Sequence, residues 1–553
     1  MQREDSKESL QGVGDNLAES GFLISESSEG GDELLRIIRG FGNDFEPTPG
    51  VPEVSTSGDN EMEMEGYPSC CIPKRAEGPR AECWVLVALG CLDTLWAQHL
   101  WVLHLIGLVL LCAYVPVSDV AAAVLATFLM MAFYLPLRRG LPAALRTACA
   151  KATAENNPND RDDWLRGALV LLFPTLLSVS LIWLLAVGEL AHGISTRDRP
   201  VEKVTRFAGL SVLWVWPEAI LDVLRVYLQS KRAIRISLVD VLLGCIVMPP
   251  MTVALLNHGM GVIALPLAKA ASHALRLIVL VTAAGVSGQL PPMCSTTRWH
   301  LLPSAPRPRR IPTRRGNIQG GPSNDDSSSP ALQGVPHAMV LLGKQTLITG
   351  FLRSWRADAP LLIVGVLAWS LGNASMVAHG ILLAVTMILI TVSGHPGLAR
   401  AAEARIRQYM LRNQPSAARA VHWVAMSSAA IVAAVVSLVS ALVVSVSVDE
   451  SGTSDGSAAW AAAAGSVWAA AGYTFCSSVI SILRAFLKAT EQETFAAAAF
   501  HGFAALSVVL SYAFSQGVSW GLAGIWLGMF IGSVLGFVAC ATKCFMTMAE
   551  MQD

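Results

Sequence analysis

Apolar runs of about 20 residues or more, separated by short polar turns, dominate this chain from residue 84 onwards and decide its class. A run of that length crosses the hydrocarbon core of a bilayer as a helix. Composition agrees. Hydrophobic residues make up 53% of the sequence and charged residues 15%, where a soluble chain carries nearer one quarter charged. Helices of soluble proteins keep a polar stripe, and these runs do not. The formal net charge of −1 gives no reason to expect a nucleic-acid partner.

The apolar runs predict twelve transmembrane helices in two sets of six. The first set reads 84–113, 117–149, 164–190, 201–229, 235–257 and 260–286. The second reads 345–371, 374–410, 418–448, 457–488, 494–516 and 518–547. Residues 1–66 hold sixteen Asp or Glu against four Lys or Arg, so 1–80 is expected to be a disordered acidic tail. No basic stretch followed by an apolar run marks it as a cleaved signal. Residues 81–286 and 345–548 are the expected lobes. The stretch 287–344 is rich in Pro, Ser and Gly and carries Arg298, Arg307, Arg309, Arg310, Arg314 and Arg315. It is expected to be a basic linker.

Positive charge sets the expected orientation. With both termini cytoplasmic, the inside segments hold Arg138, Arg139, Lys151, Lys231, Arg232, the linker arginines, Arg400, Arg405, Arg407, Arg412, Arg419 and Lys488. The outside turns are nearly free of Lys and Arg, except Arg197, Arg199 and Lys203. Which cellular membrane holds the protein is open. Cys70 and Cys71, beside Lys74 and Arg75, form a candidate S-palmitoylation site or are simply two free thiols. No metal-ligand spacing, nucleotide-binding motif or catalytic triad appears, so neither a cofactor nor an enzyme is expected.

The halves share an ordered pattern. LDVLRVYLQSKR from Leu221, an apolar span and a Gly turn in the first half correspond to ISILRAFLKATEQE from Ile480, an apolar span and a Gly turn in the second. GLPAALRTACAKATAENN from Gly140 corresponds to GLARAAEARIRQYMLRNQPSAAR from Gly397. Two copies of one bundle are a transporter device, with the solute between halves that rock about it.

On these residues, together with WPEAILDVLRVYLQSKR from Trp216 and GLAGIWLGMFIGSVLG from Gly521, the chain resembles the multidrug and toxic compound extrusion (MATE) family. The resemblance spans about 84–547. It implies an all-α, V-shaped membrane fold of two six-helix lobes. It also implies export of small organic, often cationic, solutes in exchange for H⁺ or Na⁺. The protein is expected to be a monomer in contact with lipid. The family's YLQ stands at Tyr227, Leu228 and Gln229, which makes Tyr227 and Gln229 candidate site residues. Where the family reads Gly-Leu-x-x-Ala-x-Asp-Thr and then Gln-Ala-x-Gly, this chain has Arg146-Thr147, Lys151 and Ala154. The glutamate of helix 7 in eukaryotic members falls near Asp358, and no carboxylate stands near Ser375 or Cys476.

A carboxylate at membrane depth is paired or functional. Asp93, Glu218, Asp222 and Asp358 are therefore candidates for ion coupling or solute binding. Asp93 lies between Cys91 and Trp96 in the first span. Glu218 and Asp222 are four apart on one helix face, with Arg225 three further on, so an internal ion pair is equally open. Asp358 lies near Arg353 and Arg356, where a capping acid is the plainer reading. Glu189 and Asp240 lie near span ends. His99, His104, His273, His379 and His501 could relay protons or simply bond to a neighbouring helix. Trp101, Tyr134, Trp214, Trp216, Trp369 and Tyr473 are candidate cation–π partners or packing residues. A flippase for a lipid or lipid-linked precursor, and a non-transporting homologue, remain as alternatives.

Overall fold

The structure is a computed structural model, which describes residues 79–154, 158–194, 201–231, 233–291, 340–344, 346, 355–393, 397–450 and 455–551. The expected tail, the paired cysteines and nearly all of the expected linker lie outside the described residues. The described chain is helical: α1 (Pro79–Tyr114), α2 (Val117–Ala154), α3 (Pro158–Ile194), α4 (Val201–Ser230), α5 (Ile234–Asn257), α6 (Ala264–Val286), α7 (Trp355–Ser370), α8 (Asn373–Ser393), α9 (Gly397–Leu411), α10 (Pro415–Glu450), α11 (Asp455–Ala489), α12 (Glu493–Tyr512) and α13 (Gly521–Glu550). Ten spans are long and apolar enough to cross a membrane, with α8 and α9 counted as one. The shorter apolar stretches Val117–Met131 of α2 and Ala359–Ser370 of α7 complete the twelve. The spans match the apolar runs to within a few residues at most ends.

Backbone groups in lipid must be satisfied within the segment, which is why the chain spans as helices. Short turns between helices make neighbours antiparallel. The end at which α6 leaves towards 287–344 is termed the linker end. It also carries the start of α1, the α2–α3 and α4–α5 turns and the end of α13.

The outer helices expose leucine and valine, as at Leu181 and Leu185 of α3 or Val435 and Leu438 of α10. α1 and α2 instead join the two lobes. Residues Val120–Ala126 of α2 are all buried, packed against α7 and α8. A Cβ on Gly380 of α8 would lie 2.7 Å from Val124 Cγ1, and one on Gly365 of α7 would lie 3.0 Å from the Phe128 ring. At the linker end, a Cβ on Gly397 of α9 would lie 2.1 Å from the Gly90 carbonyl oxygen of α1. Gly365 and Gly397 need to be glycine because a ring and a backbone carbonyl occupy the place of a side chain, and Gly380 because Val124 does. One apolar core runs through the first lobe and into the far-end halves of α7, α8, α11 and α13. A second core fills the linker end of the C-terminal lobe and takes in Leu86 of α1.

Gly524, Gly528 and Gly532 line the α13 face against α12. A Cβ on Gly528 would meet the Ser511 backbone nitrogen at 2.2 Å, and Ser511 Oγ donates to the Ile525 carbonyl at 2.8 Å. Small residues at this spacing let two backbones touch. Gly528→Leu is expected to force α12 and α13 apart and to cost about 1–3 kcal/mol or more. Thermal unfolding of the purified variant in detergent measures this; an unchanged midpoint would show that the contact is not tight.

Candidate functional site

The polar centre of the N-terminal lobe is assembled by α1, α2, α4, α5 and α6. Glu218 and Asp222 lie one turn apart on α4 and both face Arg138 of α2. Arg138 Nη2 is 3.0 Å from Glu218 Oε1, and its Nε is 3.0 Å from Asp222 Oδ2. Arg225, one turn further along α4, meets Asp222 Oδ1 at 2.9 Å and is paired with Asp240 of α5. Arg276 of α6 donates from Nε to Asp240 Oδ1 at 2.9 Å and from Nη2 to Oδ2 at 3.2 Å. Its Nη1 reaches His273 Nδ1, and the same Nη2 reaches His99 Nε2, each at 3.2 Å. Arg225, Asp240 and Arg276 side chains are at most 1% exposed. Ions this deep hold only because each charge is paired and hydrogen-bonded.

Two groups in this lobe do not close the network. Glu218 has a side chain only 3% exposed, and its Oε2 has no hydrogen-bond partner. Lys269 of α6 makes no ion pair with it, although the two interact electrostatically. The Lys269 amine lies over the Trp214 ring, 5.3 Å from its centroid. Trp214 is one turn before Glu218 on α4, so carboxylate and amine address the same side of that helix. Lys269 is half-buried as a residue. Tyr134 stands edge-on to Trp214 with ring centroids 6.1 Å apart, and its hydroxyl donates to the Val215 carbonyl at 3.3 Å. Across these groups four cations (Arg138, Arg225, Lys269, Arg276) face three carboxylates (Glu218, Asp222, Asp240). No group of side chains suited to a metal ion occurs among the described residues.

The structure brings together Glu218 and Asp222 and gives them different surroundings. Asp222 is held by two arginines; Glu218 is held by one and keeps a free oxygen. Asp240, near a span end in the sequence, is buried between Arg225 and Arg276. Tyr227 is elsewhere, at the linker end, where its hydroxyl donates to Asp162 of α3. Lys231 reaches the same carboxylate at 3.3 Å and the Gln289 carbonyl at 2.9 Å. This arrangement ties α3, α4 and the end of α6 together. Gln229, in the last turn of α4, is half-buried and joins none of these bonds. Asp93 lies on α1 and Asp358 on α7, and both side chains fall outside the described residues.

Arg138 and Arg405, counted among the inside charges, both lie within helices and turn into the protein. Arg138 is inside the 38-residue α2, drawn in by the two carboxylates of α4. Arg405 is buried in α9, donating to Gln408 Oε1 at 2.8 Å and the Tyr409 hydroxyl at 3.0 Å. The missed residues, Lys269 and Arg276, had a legible signal. Lys269, His273 and Arg276 follow at spacings of four and three within an apolar span, which is one helix face.

His379 of α8 is fully buried, between the Phe128 ring (5.5 Å, interplanar 23°) and the Trp526 ring (5.5 Å). Neither ring nitrogen has a hydrogen-bond partner. His379→Leu therefore removes no hydrogen bond and is expected to change stability by less than about 1 kcal/mol. A larger loss in thermal unfolding would reveal a bond that this geometry lacks.

Residues 97–253, from α1 to α5 and including Glu218, Asp222 and Asp240, match the MatE family model. That segment is similar to a MatE domain. The fold of the chain is also that of solved MATE transporters. The eukaryotic MATE transporter AtDTX14 superposes with a TM-score of 0.59 at 15% identity, over 84% of this chain and 96% of that one. A multidrug resistance MATE family transporter of the MOP superfamily, in an inward-facing conformation, gives 0.62 at 14%, over 85% and 99%. A MOP superfamily transporter from Pyrococcus furiosus, described as having a binding pocket of reverse polarity that suggests a different function, gives 0.61 at 13%, over 86% and 98%. At these identities the likeness is one of fold. No curated protein matches the sequence. The ten long apolar helices and the MatE match together support a multi-pass membrane protein of transporter type.

Proposed function

We propose that this protein is a secondary-active antiporter that exports a small organic solute in exchange for H⁺, with Glu218 as the group that solute and proton share. The observation that carries this is the Glu218 carboxylate, buried at membrane depth with Oε2 unpartnered. A buried polar atom without a partner is costly. A proton and a solute ammonium are each able to satisfy that oxygen, and they cannot do so together. Mutual exclusion at one group is what exchange requires. Groups that act on Glu218 are Arg138, Asp222, Lys269 and Arg225. Asp222, Arg225, Asp240 and Arg276 form the fixed frame that holds Arg138 and α4 in place.

The linker end is the cytoplasmic end in this reading, following the positive-charge rule. Na⁺ is the less suitable coupling ion, because Arg138 already occupies the other Glu218 oxygen. A flippase would need arginines open to lipid, and Arg225 and Arg276 are sealed inside the lobe. The test is solute exchange in proteoliposomes under an imposed pH gradient, with Glu218→Gln beside wild type. Gradient-driven exchange that survives in the variant removes Glu218 from the mechanism.

A further inference from the structure

We propose that the exported solute is a zwitterion, bound with its ammonium on Glu218 Oε2 and its carboxylate on the Lys269 amine. This rests on the antiport reading above and names its solute class. Every arginine of the cluster is engaged: Arg138 by Glu218 and Asp222, Arg225 by Asp222 and Asp240, Arg276 by Asp240. The two groups left over have opposite sign and both interact with the same side of α4. Glu218 Oε2 is an acceptor without a donor. Lys269 is a donor whose described neighbour is the Trp214 ring face at 5.3 Å. A simple cation would satisfy the carboxylate and be repelled by the amine. A simple anion would satisfy the amine and favour a proton staying on Glu218, which is co-transport rather than exchange. A molecule carrying both charges satisfies both groups, and its arrival releases the Glu218 proton.

The balance has a consequence. Protonated Glu218 loses H⁺ as the solute ammonium takes its place, so one proton enters for one zwitterion leaving. The zwitterion carries no net charge, so each turnover moves one positive charge inward. Exchange of H⁺ for a monovalent amine moves none.

Two matched sets of radiolabelled probes test this with the full chain in proteoliposomes: tryptophan, tryptamine and indole-3-propionate, and leucine, isoamylamine and isocaproate. Wild type is expected to exchange the zwitterion of at least one set faster than its amine or acid. A diffusion potential set with potassium and valinomycin should change the zwitterion rate and leave the amine rate alone. Lys269→Met keeps the apolar stem over Trp214 and removes the charge. It should lower the zwitterion-to-amine ratio roughly tenfold to hundredfold, the worth of a charged hydrogen bond. Lys269→Arg should restore part of the ratio and serves if the Met variant folds poorly. An unchanged ratio in both variants, or an amine faster than its zwitterion in both wild-type sets, overturns the zwitterion assignment. Loss of all exchange in Glu218→Gln, with that outcome, would leave the antiport reading standing alone.

Discussion

Asp240→Asn is expected to destabilise the N-terminal lobe by about 3–5 kcal/mol, a large part of the roughly 5–15 kcal/mol that holds a typical domain. Asp240 is the anion between two arginines whose side chains are at most 1% exposed. Asparagine keeps the shape and one acceptor but removes the charge, leaving Arg225 and Arg276 adjacent and short of a counter-ion. The cost arises from the stranded cations, so Asp240→Glu should recover part of it. Asp163 supplies the contrast. It meets Arg166 at 3.0 Å, but the two side chains are 26% and 16% exposed, and Asp163→Asn should cost at most about 1 kcal/mol. Thermal unfolding in detergent separates the two cases. Equal midpoints for the two asparagine variants would show that the buried network does not hold the lobe together.

Glu218→Gln should have the largest effect on activity with a small effect on folding. Glutamine keeps an oxygen for Arg138 and offers an amide where Oε2 stood, so the packing is retained. It cannot carry a proton or a counter-charge for an ammonium. Exchange driven by a pH gradient is expected to fall at least about a hundredfold, the loss of a charged partner worth roughly 3 kcal/mol. Counterflow of solute in the absence of a gradient should fall with it, because solute and proton use the same oxygen. Asp222→Asn is the control on the same helix. Asp222 is held by Arg138 and Arg225 on both oxygens, so its loss should be read mainly in stability.

The spans were legible because hydropathy and length carry the whole signal: lipid admits one solution for a backbone, and the sequence must be apolar along it. α2 is the instructive exception. Its apolar part is short, and the helix continues through Arg138 to Ala154 because charges from α4 receive the arginine. Residue spacing gave the Glu218–Asp222 face but not the difference between the two acids. That difference depends on where Arg138 and Lys269 arrive from, which is a tertiary fact. Lys269 and Arg276 are as costly at membrane depth as the acids, and their spacing on one helix face carries the same signal. Tyr227 and Gln229, taken from the resemblance, lie by the α3–α4 closure at the linker end rather than beside Glu218, as the Tyr227–Asp162 bond shows.

Competition between proton and solute for one carboxylate is measured most directly as proton release on binding. The purified transporter is titrated in unbuffered detergent solution with an exported amine while a dye follows pH. The account predicts about one proton released per amine bound in wild type, and neither release nor tight binding in Glu218→Gln. Amine binding without proton release at any pH where the wild type transports would contradict it.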